Sequence, residues 1–165
     1  MKRITTAMSR PASGRVWIAY AFAFASLSSP PATAATFRVD DSASIPNESN
    51  VTMRWKSVNP NRFTGSTVEA AILITLRLNV APWLNKSGKI YMTLPQQPVG
   101  PVNVEWTTQG RLLPGKLISG ERTLVYAGPI RSRMMEDTFG VKVETDGKRL
   151  ANPQRLQFHF EIDVD

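Results

Sequence analysis

Cysteine is missing altogether, and histidine occurs once, as His159. Without cysteine there can be no disulfide, no zinc–thiolate site and no thiol catalysis, so a folded domain here must be held by core packing and sheet hydrogen bonds. A single histidine leaves little material for imidazole acid–base chemistry. The chain also carries no GxSxG elbow, no HExxH, no P-loop and no GxGxxG, which removes the commonest hydrolase, metalloprotease and nucleotide-binding signatures. The residues therefore point away from an enzyme, and no cofactor or metal is expected. Long apolar runs are lacking too. The best, VWIAYAFAFASL at 16–27, falls well short of the roughly 20 residues that a membrane-spanning helix needs.

What is present at the N-terminus explains that run. Lys2, Arg3, Arg10 and Arg15 precede it without one acidic residue, and Ala32-Thr33-Ala34 follows it in a small-x-small pattern. A basic segment, a short apolar core and small residues for the peptidase pockets make a secretory signal, so residues 1–34 are expected to be cleaved and 35–165 to form one domain. The protein is then exported, with no membrane span after cleavage. Four of the twenty basic residues leave with the signal. The sixteen that remain face thirteen acidic ones, so the high isoelectric point belongs to targeting and not to nucleic-acid binding.

The rest of the chain reads as strands. In TVEAAILITLRLNV, residues 67–80, Val68, Ala70, Ile72, Ile74, Leu76, Leu78 and Val80 share one face. Strict alternation of this length has period 2, not 3.6. At about 3.3 Å per residue such a strand is long enough that a bulge or bend is expected, and Pro82 ends it. VTMRWKSV, GKIYMTL, VNVEWTT, LLPGKLIS and RTLVYAGPI supply further strands, while NPNRFTGS and LPQQPVGP read as loops. SRMMEDT, residues 132–138, is expected to form one helical turn capped by Ser132. Asp146-Gly147 is expected at a type I′ hairpin turn. Together these predict an all-β fold, an immunoglobulin-like β-sandwich of about 7–9 mostly antiparallel strands, with Trp55, Trp83 and Trp106 as large core or rim side chains.

Few side chains suggest chemistry. Glu136-Asp137, and the stripe Glu161, Asp163, Asp165, could in principle pair carboxylates or hold calcium. The calcium-loop spacing is absent, and cross-sheet pairing with Lys142 or Arg77 is the expected use of the stripe. His159 falls on the polar face of its strand and reads as solvated. Arg111, Lys116, Arg122, Arg131 and Arg133 lack interleaved aromatics and read as a solvated face. Three Asn-x-Ser/Thr sequons begin at Asn47, Asn50 and Asn85.

The final segment, RLQFHFEIDVD, alternates to its last residue: Leu156, Phe158, Phe160, Ile162 and Val164 on one face, Gln157, His159, Glu161, Asp163 and Asp165 on the other. A strand of this kind is expected to be tied into a sheet. With a signal peptide, an all-β domain and the terminal strand FHFEIDVD, the chain resembles the subunits of bacterial chaperone–usher fimbriae (pili). That resemblance implies a periplasmic or cell-surface location in a bacterial envelope. It implies a structural or adhesive role, and β-strand addition in which the C-terminal strand borders a groove filled by an N-terminal strand of the next subunit. The strand-exchange candidates are then Phe37 and Val39 in ATFRVDDSASI, with Leu156, Phe158, Phe160, Ile162 and Val164 opposite. The partners would be other subunits or an assembly chaperone. Two alternatives stay open: a self-contained binding module with a complete sheet and an aromatic patch near Trp83, Tyr91 or Trp106, and an assembly accessory protein.

Overall fold

The computed structural model describes residues 35–58, 65–150 and 155–164, all within one compact unit spanning Ala32–Asp165. The expected signal at 1–34 and the stripe residue Asp165 lie outside the described residues. Ten strands form: β1 (Ala35–Val39), β2 (Ile45–Pro46), β3 (Arg54–Trp55), β4 (Thr67–Asn79), β5 (Ser87–Thr93), β6 (Asn103–Thr108), β7 (Gly115–Ile118), β8 (Arg122–Pro129), β9 (Met134–Asp146) and β10 (His159–Val164). They build two antiparallel sheets, a four-stranded one ordered β1-β10-β5-β8 and a six-stranded one ordered β2-β4-β9-β6-β7 with β3 also on β4. The sheets pack face to face as a β-sandwich, the fold class expected. The count exceeds seven to nine because VTMRWKSV is a strand only at Arg54–Trp55 and Ile45–Pro46 adds a second two-residue strand.

Alternation gives the core directly. β9 and β10 bury every second residue, and β10 contributes Phe160, Ile162 and Val164. These meet Val39, Leu76, Leu78, Ile90, Met92, Trp106 and Phe139 in one cluster. The Trp106 and Phe139 rings lie parallel, their planes 4° apart and centroids 6.4 Å apart, within the offset-stacking range. Burial alone would strand the indole N–H of Trp106, which donates instead to the Leu113 carbonyl at 2.9 Å.

Three local expectations are corrected. Residues 132–138 hold no helical turn: Met134 begins β9, and Ser132 Oγ donates to the Met134 carbonyl instead of capping a helix. Pairing with β4 from Asn79–Met134 to Thr67–Asp146 outweighs the weak local helix preference of Met-Met-Glu-Asp. That long ladder also runs without a register shift, so the bulge expected in β4 is not there. It sits instead between β5 and β8, where Ile90 faces Tyr126 but Tyr91 faces Leu124. The extra residue, Val125, leaves two consecutive side chains, Val125 and Tyr126, buried. Finally, Asp146-Gly147 makes no I′ hairpin. Asp146 caps a 3-10 turn, Gly147–Arg149, by accepting from the Lys148 amide, and β9 and β10 belong to different sheets. Gly147 is required by proximity and not by positive φ, since a Cβ there would lie 2.7 Å from the Trp55 ring.

Candidate strand-exchange edge

β10 is the element that the sequence singles out, and it is held on both sides. β5 pairs it from His159–Thr93 to Val164–Gly88, and β1 pairs it from Ala35–Val164 to Val39–Phe160. The place beside the terminal strand, expected to be open for a neighbour's segment, is thus occupied by residues 35–39 of the same chain. Past Val39 the chain leaves this sheet, bridges Asp40 to Asn79 and joins β4 through β2.

β1 is lightly attached. Of its five residues only Val39 is buried, at 0 % exposure, while Phe37 is 47 % exposed and leans on Trp83 with ring centroids 6.0 Å apart. Two side-chain bonds fasten the strand to β10: Thr36 Oγ1 donates to Asp163 Oδ1 at 2.6 Å, and Arg38 Nη2 lies 2.9 Å from His159 Nδ1. Among the described residues no backbone hydrogen bond reaches the outward edge of Ala35–Val39. β8, at the other end of this sheet, is better covered, since Leu113 N–H donates to the Val125 carbonyl across the seam.

The remaining candidates divide. Phe160, Ile162 and Val164 are core residues of β10, 3 %, 0 % and 8 % exposed. Leu156 and Phe158 precede β10 outside any strand, half-buried. They line a cleft of about 1310 Å³ between the sheets whose walls also include Met53, Ile72, Ile74 and Val143. Apolar alternation made all five look like one strand face. The pairing partner that would make Leu156 and Phe158 part of the sheet is missing beside them, because β1 stops at Val39 and β5 at Thr93.

The outer face of the four-stranded sheet carries the acidic stripe, and its cation is not the one expected. Arg122 of β8 lies over the Tyr91 ring at 3.9 Å, with Nη2 3.0 Å from Asp163 Oδ1 and Nε 3.5 Å from Glu161. The Thr36 hydroxyl first, and then Arg122, hold the Asp163 carboxyl below its ordinary value. Lys142 and Arg77 serve the other sheet. Arg77 pairs with Glu136 at 2.7 Å, and Lys142 with Glu144 and Glu69 at 2.9 and 3.0 Å. Glu69 and Glu144 sit directly opposite each other in the β4–β9 ladder, an arrangement that repels unless cations intervene. Lys142 and Lys56 supply them. Their hydrogen bonds, that of Lys56 foremost, hold the Glu144 carboxyl below the usual range, while Glu144 and then Glu69 hold the Lys142 ammonium above its own.

The groups that could have served catalysis are apart and engaged. Asp137, 5 % exposed, accepts from the amides of Gln109, Gly110, Leu112 and Thr138. Glu136 holds Arg77, and His159 lies in the other sheet. Nor do Trp83, Tyr91 and Trp106 form one patch: Trp106 is in the core, Trp83 underlies Phe37 and Tyr91 lies on the outer face beneath Arg122. Arg111, Lys116, Arg122, Arg131 and Arg133 are all exposed. Lys116 pairs with Glu105 at 3.0 Å, and Arg122 spans the sheet as above. No helix among the described residues is long and apolar enough to cross a membrane. ATFRV has little apolar bulk of its own, only Phe37 and Val39 beside the small Ala35; the complementary alternation of Thr36 and Arg38 against Asp163 and Glu161 is the sequence signal that places it beside β10. Comparison with protein-family models, with curated proteins and with solved structures yields no match to this chain.

Proposed function

We propose that the protein is an exported structural or adhesive subunit of a surface assembly, whose copies join by β-strand addition along β10. The observation that carries this reading is the attachment of β1. It completes the sheet beside β10, yet it buries one side chain, and among the described residues no backbone hydrogen bond reaches its outward edge. A strand held so lightly can be replaced by the same strand from another copy at nearly the same backbone hydrogen-bond count. Replacement leaves the first copy's own strand free to act in turn, so the reaction propagates. An unprotected edge is otherwise a hazard that folded proteins avoid. Export to a bacterial periplasm or surface rests on the signal-like residues 1–34, and a chaperone is the natural partner for a subunit awaiting assembly.

One observation favours a second reading. Because residues 35–39 already lie on their own β10, the sandwich also suits a self-contained module, with the cleft beside Leu156 and Phe158 as its binding surface.

The test is the mass of the protein, purified from an exporting host, by light scattering after gel filtration, with and without a labelled peptide of residues 35–45. Polymers, or capture of the peptide with release of β1, are expected for strand addition. A stable monomer indifferent to the peptide would overturn it and turn attention to the cleft.

A further inference from the structure

The bond between Arg38 and His159 fixes a proton. A guanidinium has five N–H donors and no acceptor, so a contact of 2.9 Å between Arg38 Nη2 and His159 Nδ1 is a hydrogen bond only when Nδ1 offers its lone pair. That bond requires the tautomer with its proton on Nε2. A second proton would go to Nδ1 and remove the acceptor. It would also leave an imidazolium facing a guanidinium.

We infer that the Arg38–His159 pair is a pH-sensitive latch on β1, closed while His159 is neutral and opened when it takes up a proton. The inference rests on β1 being the exchangeable strand and adds the condition under which it is released. The position of the pair makes it effective. Arg38 stands one residue before Val39, the only buried side chain of β1, so the latch guards the inner end of the strand. The outer end is held by Thr36 and Asp163.

The charges around His159 set the direction. Arg38 reaches it from β1 and Glu161 lies two residues on along β10; the uncharged Thr93 faces it from β5 with Arg122 next in that row on β8, Tyr91 lies opposite Glu161, and Asp41 and Arg155 share the cleft rim with it. Arg38 also stands opposite Glu161 in the β1–β10 register. When β1 leaves, Arg38 leaves with it, and the imidazolium no longer faces a guanidinium. Arg122 remains in both states, bound to Glu161 and Asp163. A proton on Nδ1 costs the closed state its hydrogen bond and sets two cations against each other, and departure of β1 removes that contact, so lowering the pH favours release. The Thr36–Asp163 bond does not respond in the same range, because the Asp163 carboxyl is held ionised to a pH below that of ordinary aspartates. The two fastenings thus titrate separately.

The experiment is amide hydrogen exchange on the protein from an exporting host, read as protection factors so that the intrinsic pH dependence of exchange cancels. Between about pH 7.5 and 5.5, where imidazoles charge, protection along Ala35–Val39 and its β10 partners should fall about threefold, as loss of one exposed charged hydrogen bond implies. Amides of the β5–β8 pair should not move. His159→Gln keeps a neutral acceptor at every pH, and Arg38→Gln removes the facing charge; each should abolish the fall. A fall that persists in His159→Gln, or no fall in the wild type, overturns the latch. Capture of labelled 35–45 peptide, measured in parallel, separates the two ideas. Capture without pH dependence removes the latch and keeps strand addition. A pH-dependent loosening with no capture at any pH keeps the latch and removes strand addition.

Discussion

At the scale of single residues, Asp137 carries more of the fold than any charge on the surface. Its carboxylate takes amides from Gln109, Gly110 and Leu112 and so pins the β6–β7 turn to the start of β9, on the inward face where Phe139 and Val141 follow. Asp137→Ala removes the acceptor of the buried Leu112 amide and of the Gly110 amide, at about 1–3 kcal/mol for each one left unsatisfied, while the Gln109 amide keeps the Thr138 carbonyl. The expected outcome in urea denaturation is a loss of several kcal/mol, with Asp137→Asn recovering part because its carbonyl oxygen still accepts. Gly110→Ala should lose stability by the same route, since a Cβ there would lie 2.8 Å from the carboxylate. Phe160→Ala, at 3 % exposure in β10, should cost about 3–5 kcal/mol by cavity formation. Asp137 also explains a misreading. A buried carboxylate looks polar in a period-2 count, so the inward series Met135, Asp137, Phe139, Val141, Val143 lost its alternation at its second member. The segment then looked like a capped turn.

At the scale of elements, β5, β6 and β10 are legible because each alternates between a packed face and a more exposed one, and β4 because its apolar alternation is long; β8 is legible only as an apolar run, since the bulge at Val125 breaks its alternation. What is not legible is partnership. Nothing local to Arg122 says that it will cross Tyr91 to reach Glu161 and Asp163, and nothing local to Ala35–Val39 says that it will lie on its own β10. Those facts come from strand order, which periodicity does not encode. The same argument makes Phe37 and Val39 unequal as probes. Val39 belongs to the core, so Val39→Asp should unfold the domain. Phe37→Asp should shift the denaturation midpoint little, since the side chain is nearly half exposed, but should weaken peptide capture and self-association in light scattering. Equal destabilisation by both would mean that β1 is a permanent part of the core.

At the scale of the whole molecule, the absence of cysteine leaves packing and ionic order to hold two sheets together. The depressed carboxyls of Glu144 and Asp163 make a signed expectation possible. A folded-state value below the unfolded one stabilises the native protein at neutral pH and ceases to do so as pH falls through the folded value. The contribution of these two carboxyls should therefore be level down to about pH 5 and decline from about pH 4.5 downward, where unfolded glutamates begin to take up protons. Glu144→Gln should make that decline shallower in chemical denaturation followed against pH. An unchanged slope would mean that the Lys56–Glu144–Lys142 array contributes nothing to folding.

The antiparallel register of β1 on β10 also sets how the molecule bears load. Ala35 and Val164 are register partners at the same end of the pair. Tension applied at those two points peels the strands apart rung by rung, each hydrogen bond meeting the full force alone, whereas tension along the axis of a paired strand would spread over all its rungs together. Pulled in that direction, a self-paired copy yields first at β1, while the thirteen-residue strands β4 and β9 still hold the six-stranded sheet.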